Sequence, residues 1–178
     1  MLPKIIVIAG LPGSGKTSVG KKVAEKIGYE FISTGDLRGE VAKEKGITID
    51  ELNELNEEWT HKVIDDKIKE LGIRGKNILI DSWLAWHFIP DAFKIFVDVD
   101  LNISSKRIFE DQRPDEKKKD SIEEVKEMLE KRIQTWVEQV KKFYDVNFFD
   151  KKNYDLIIDS SNKDIPAIIE QVLKAINS

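Results

Sequence analysis

The run Gly10-Leu11-Pro12-Gly13-Ser14-Gly15-Lys16-Thr17-Ser18 carries residue types suited to phosphate chemistry, at the required spacing. In the pattern G-x-x-x-x-G-K-T the glycines let backbone N–H groups turn inward around a polyphosphate. A helix starting at Lys16 adds the partial positive charge of its amino terminus. Lys16 is expected to reach the β- and γ-phosphates of ATP or GTP, and the Thr17 hydroxyl to bind Mg²⁺. Gly10, Pro12, Gly13, Ser14, Gly15 and Ser18 complete the expected cradle. An acidic residue ending a neighbouring strand would share the metal, and Asp81, after Ile78-Leu79-Ile80, is the candidate. Asp98 and Asp100 end another apolar run, where helix capping is the competing role.

A second group, Ser33-Thr34-Gly35-Asp36-Leu37-Arg38, follows a short apolar run. At the end of a second strand it would share the phosphate loop's edge of the sheet, where open α/β sheets bind ligands. Thr34, Gly35, Asp36 and Arg38 are read as acceptor-binding residues. Phosphoryl transfer also calls for arginines that neutralise the moving group and for segments that close over it. Arg107, Arg113 and Arg132 are the candidates, with 111–120 as a lid, although each arginine also suits a solvated helix face. Trp83 and Trp86 have two readings: they line the acceptor pocket and stack on a base, or they fill the core. His61 and His87 have no required part.

The elements that must position these groups alternate. Apolar runs at Lys4–Ala9, Tyr29–Ser33, Asn77–Asp81, Phe93–Val99 and Tyr154–Ile158 read as strands. Between them lie helical patterns at Lys16–Ile27, from Thr34 to near Gly46, from Thr48 to Leu71, at Ile103–Glu110, from Ser121 to Phe143 and at Asp164–Ala175. Thr48-Ile49-Asp50-Glu51 and Ser121-Ile122-Glu123-Glu124 are capping boxes. The long helix after Thr48 is expected to bury Ile49, Leu52, Leu55, Trp59, Val63, Ile64, Ile68 and Leu71. Five alternations predict a five-stranded parallel sheet covered by helices on both faces, an α/β three-layer fold of the P-loop NTPase kind. One domain is expected over 1–178, with 34–75 as a helical acceptor-binding flap and 111–120 as the short lid.

Composition narrows the function classes. The 178 residues are 40% hydrophobic and 35% charged, with a net charge of −4, which argues against a dedicated nucleic-acid binder. There is no cysteine, hence no disulfide framework and no thiolate metal site. No apolar run approaches the ~20 residues of a membrane span. A cytoplasmic monomer acting on small-molecule nucleotides is the expectation. A GTPase reading fits less well. Asn162-Lys163-Asp164 lacks the spacer of the guanine-reading Asn-Lys-x-Asp element. Asp36-Leu37-Arg38-Gly39 has the Asp-x-x-Gly form but sits in the acceptor context.

Taken with Ala42-Lys43-Glu44-Lys45-Gly46, Ile80-Asp81-Ser82-Trp83-Leu84-Ala85, Lys131-Arg132, Phe143-Tyr144 and Tyr154-Asp155-Leu156-Ile157-Ile158, these motifs resemble the nucleoside monophosphate kinases. The likeness is greatest to the archaeal-type cytidylate kinases and covers nearly the whole length. It implies ATP and Mg²⁺ as cofactors, transfer to CMP or dCMP, and catalytic roles for Lys16, Arg113 and Arg132. Three positions depart from the pattern it implies, with Gly39, Trp83 and Gln139 standing where arginine is usual. Arg38 lies one residue before the first of them. A bidentate arginine contact is not replaced by glycine or tryptophan. Two other readings therefore stay open: a kinase for another small acceptor, and an ATP-binding regulatory or assembly protein with weak ATPase activity.

Overall fold

A computed structural model describes residues 2–48, 51, 52, 55, 58–75, 77–112 and 118–178. Five strands, β1 (Ile5–Gly10), β2 (Glu30–Ser33), β3 (Ile78–Asp81), β4 (Phe93–Asp98) and β5 (Leu156–Asp159), form one sheet in the order β2-β3-β1-β4-β5. Every pairing is parallel. The helices are α1 (Lys16–Ile27), α2 (Thr34–Lys45), α3 (Glu58–Arg74), α4 (Ala85–Phe88), α5 (Leu101–Glu110), α6 (Ile122–Tyr144) and α7 (Ile165–Ile176), with a 3-10 turn at Lys151–Asn153.

The sheet is parallel because each strand is followed by a helical crossover, and its central strand is buried on both sides. Residues of β1 divide by parity between two cores. Ile5, Val7 and Ala9 join Ile78, Ile80, Phe96 and the inward faces of α2, α3 and α4. Ile6 and Ile8 join Leu79, Ile95, Val97, Ile158 and the inward faces of α1 and α7. Val19, Val23 and Ala24 are the buried stripe of α1, as their spacing requires. These two cores are the layers on either side of the sheet.

Both capping boxes form, in different versions. Thr48 and Glu51 exchange contacts: the Glu51 N–H donates to Thr48 Oγ1 at 3.1 Å, and the Thr48 N–H donates to Glu51 Oε2 at 2.7 Å. At α6 the Glu124 N–H donates to Ser121 Oγ, but Glu124 Oε2 accepts from the N–H of Asp120, one residue earlier than a strict box. Asp100 caps α5, accepting from the N–H groups of Asn102 and Ile103.

Three expectations need correction. Leu55, assigned to the buried face after Thr48, is 43% exposed. The sequence between β3 and β4 contains a helical turn, α4, that its four residues were too few to signal. The strand limits shift by one or two residues, and β5 is an edge strand with only Ile158 fully buried. Ile49, and residues 113–117 of the lid with Arg113, lie outside the described residues.

Candidate functional site

Strand register assembles the site. Ile8 pairs with Asp81, Ser33 pairs with Asp81, and Gly10 pairs with Val97. The carboxyl ends of four strands thus meet at one edge. That edge receives the phosphate loop after β1, Asp81 at the end of β3, and Thr34 just beyond β2. Residues 48 or more positions apart become neighbours through pairing alone.

The loop leaves β1 through Gly10, whose φ is +153°. A Cβ added there would meet the Val97 carbonyl oxygen at 2.2 Å, so only glycine lets β1 leave the sheet this close to β4. Gly13, with φ +71°, has the same constraint against Ser104 of α5, where a Cβ would come within 2.9 Å of Ser104 Cβ. The Leu11 N–H donates to Val97 O and the Ser14 N–H to Leu11 O, both at 3.2 Å, which closes the turn. Gly15 then opens α1 in the left-handed region and leaves the helix without a side-chain cap. An uncapped amino terminus facing the loop is the arrangement that receives an anion.

Two details of this loop fit a triphosphate and a divalent cation. Ser14 is 1% exposed, yet its Oγ has no hydrogen-bond partner among the described residues. A buried hydroxyl without a partner is costly, and a phosphate oxygen would satisfy it. Thr17 Oγ1 donates to Asp81 Oδ2 at 2.5 Å, so the two oxygens expected to share Mg²⁺ already sit side by side. Hydroxyl and carboxylate oxygens are the donors that such a hard cation takes.

Asp81 also holds the segment expected to bind the acceptor. Its carbonyl accepts from Thr34 Oγ1 at 3.1 Å, which ties the first turn of α2 to the end of β3. Ser33 caps that helix by accepting from the Asp36 N–H at 3.0 Å. Asp36 and Gly35 are exposed there, while Arg38 is partly buried. Arg38 lies close to Asp65 of α3 and Tyr144 of α6. Burial pulls its guanidinium below the usual arginine range, and the Asp65 and Tyr144 charges oppose that. Burial raises Asp65 despite the Tyr144 hydroxyl, which donates to Asp65 Oδ2 at 2.5 Å. Tyr144 is raised by the same burial and the same bond. His61 is lowered, first by burial and then by Arg38.

The tryptophans divide. Trp86 is buried, and its Nε1–H donates to the Trp83 carbonyl at 2.8 Å. Trp83 is partly buried, stacked on Phe148 with centroids 4.2 Å apart and set against Trp136 of α6 at 3.9 Å. Arg132 is one turn before Trp136 on the same face of α6, and is partly buried. Ser18, by contrast, is exposed on α1.

Sequence reasoning named Arg107 as a phosphoryl-neutralising or a solvated helix residue and did not foresee its contacts. From α5 it donates to the Gly13 carbonyl at 3.3 Å, the Ser160 carbonyl at 2.8 Å, the Ser161 carbonyl at 3.3 Å and Ser160 Oγ at 3.4 Å. It therefore clips the phosphate loop to the turn after β5. The available signal was its place three residues after Ser104, on the α5 face that Gly13 touches. Asp65 was left out of the sequence reasoning, and its signal was a carboxylate set between Ile64 and Ile68 on an apolar stripe.

Comparison with known proteins bears on family and fold. The model of the "Cytidylate kinase-like family" matches residues 5–162. A cytidylate kinase of Methanocella arvoryzae is 33% identical over 175 residues, covering 97% of each chain. One from Archaeoglobus fulgidus is 34% identical over 174 residues, 96% of this chain and 93% of the relative. Among solved structures, shikimate kinase from Bacteroides thetaiotaomicron superposes with a TM-score of 0.67 at 18% identity, covering 98% of both chains. That likeness speaks for the fold.

Proposed function

Because this chain belongs to the cytidylate kinase-like family, we propose that it is a phosphotransferase moving the γ-phosphoryl group of ATP onto CMP or dCMP. The observation that carries the reading is the sequence likeness to cytidylate kinases along nearly the whole chain. The partnerless Ser14 hydroxyl and the Thr17–Asp81 pair support it.

In the reaction an acceptor phosphate oxygen forms a bond to the γ-phosphorus as the bond to the β–γ bridging oxygen breaks. The products are ADP and the nucleoside diphosphate. Little covalent chemistry falls to the protein, whose work is alignment and neutralisation of charge. The loop N–H groups and Lys16 hold the β- and γ-phosphates. Magnesium, held when bound by Thr17 and Asp81, supplies further positive charge to the phosphate oxygens. Arg113 and Arg132 close on the moving group, and Thr34, Gly35, Asp36, Arg38 and Trp83 border the acceptor. Among the described residues no helix is long and apolar enough to cross a membrane. We take the working form to be a cytoplasmic monomer.

A coupled ADP-release assay over CMP, dCMP, UMP, AMP, GMP and phosphate-free sugar or shikimate-like acceptors tests the reading. CMP or dCMP should give the highest kcat/KM. If folded, ATP-binding protein turned over none of the monophosphates, the proposal would be discarded.

A further inference from the structure

Gln112 and Lys119 stand at the two ends of the connection between α5 and α6, and one side chain joins them. The Gln112 carboxamide donates through Nε2 to the Lys119 carbonyl at 3.0 Å, and its Oε1 accepts from the Lys119 N–H at 2.7 Å. A side-chain amide thus pairs with both backbone groups of a single residue, the exchange made by a hydrogen-bonded pair in an antiparallel ladder. Glutamine has the donor and the acceptor that this requires, whereas an ionised glutamate only accepts. Both residues are partly buried.

The clasp sits where α6 needs support. Among the described residues, α5 is the element that α6 packs against most closely. Val125 and Leu129, the buried residues in the first half of α6, belong to neither of the two cores beside the sheet. α5 offers little apolar bulk in return, since its own buried residues are Ser104 and Ser105. A polar lock therefore has a large share in deciding how α6 lies on α5.

α5 is in turn fixed to the phosphate loop. Ser104 stands against Gly13, and Arg107 donates to the carbonyls of Gly13, Ser160 and Ser161. Further along, α6 reaches the other side of the site. Trp136 meets the ring of Trp83, two residues after Asp81, and Tyr144 donates to Asp65 of α3. The α5–α6 pair thus runs from the phosphate loop to the end of β3 and to α3.

We propose that Gln112 is a positioning residue for phosphoryl transfer: by clasping Lys119 it fixes α6 on α5, and so holds the acceptor side in place relative to the phosphate loop. It touches no reacting atom. The inference rests on the monophosphate kinase reading above and adds a residue to it. Alignment is the main work of this chemistry, and a misplacement of about 1 Å caused far from the reacting groups costs up to about 10²-fold in rate.

Gln112→Ala and Gln112→Glu test this, with CDP formation, acceptor-free ATP hydrolysis and ATP affinity by calorimetry measured on each. Gln112→Ala should lower kcat for transfer to CMP by about tenfold, while hydrolysis and the Kd for ATP stay within about twofold of wild type. The ratio of hydrolysis to transfer then rises by about tenfold. Gln112→Glu keeps the acceptor for the Lys119 N–H and loses the donor to its carbonyl, so its fall should be smaller, about threefold. A merely structural role would lower transfer and hydrolysis together. Parallel losses, or unchanged transfer in Gln112→Ala, would overturn the proposal and leave the cytidylate kinase reading intact. So would weakened ATP binding, which would assign the clasp to the donor side. Wild-type protein that phosphorylates no monophosphate would overturn both.

Discussion

The proposed donor and acceptor sides of this molecule meet at Asp81, which bonds both Thr17 and Thr34, but are built by different means. On the donor side, the cradle proposed for phosphate is nine consecutive residues and one helix start, and the donors it offers are mostly backbone N–H. On the acceptor side, side chains converge from α2, α3 and α6 and from the turn after β3, each fixed by contacts made far away in sequence. Backbone recognition requires glycines at fixed intervals and tolerates few alternatives, as Gly10 against Val97 and Gly13 against Ser104 demonstrate. Side-chain recognition has many solutions. An acceptor pocket can therefore change while the phosphate loop does not.

The sharpest way to break this division is to remove the lysine proposed to hold the ATP phosphates. Lys16→Ala should lower kcat by about 10³-fold for every acceptor alike, as expected for loss of a group that neutralises the transferring phosphoryl. A loss confined to one acceptor would mean that Lys16 belongs to acceptor recognition and that the two sides are not separable.

A smaller effect is expected at Arg107. Arg107→Ala releases the phosphate loop from the turn after β5 and should raise the KM for ATP by about tenfold, with the CMP KM unchanged. Arg107→Lys should recover little of this, because an ammonium lacks the fork that reaches the Gly13, Ser160 and Ser161 carbonyls together. Equal rises in both KM values would show that the clip braces the whole edge of the sheet.

The smallest effect concerns stability on the acceptor side. Burial raises the Asp65 carboxyl, so the folded protein holds that proton more tightly than the unfolded chain does. Its contribution to stability is present at acid pH and is lost as pH rises through the raised value. Between about pH 7 and pH 4, wild-type stability should therefore improve relative to Asp65→Asn as pH falls, measured by urea unfolding. A constant difference would mean that Arg38 and Tyr144 fully offset the burial.

How far this was legible follows the same division. The phosphate loop, the bounds of α1, the Asp100 cap and the pairing of Thr17 with Asp81 could be anticipated, since each is set by local spacing or by the order of strands and helices. The helix partners of Arg38 could not. Asp65 and Tyr144 are 27 and 106 residues beyond it, and no local pattern states that α3 and α6 cross at that point. That the rings of Phe148 and Trp136 pack against Trp83 could not be read from its position in the sequence. Arg107 was open between a phosphate contact and a solvated helix face, and no local pattern states that β5 brings Ser160 to its side.

Order along the chain by itself determined a parallel sheet and a glycine-rich turn at its carboxyl edge, of the type that cradles phosphate. Periodicity fixes which face of each element is apolar, and glycine spacing fixes where the backbone can fold on itself. Only the tertiary structure decided which charged side chains are braced and by whom. Those contacts depend on where helices cross, and crossing is set by the packing of whole cores rather than by any single stretch of sequence.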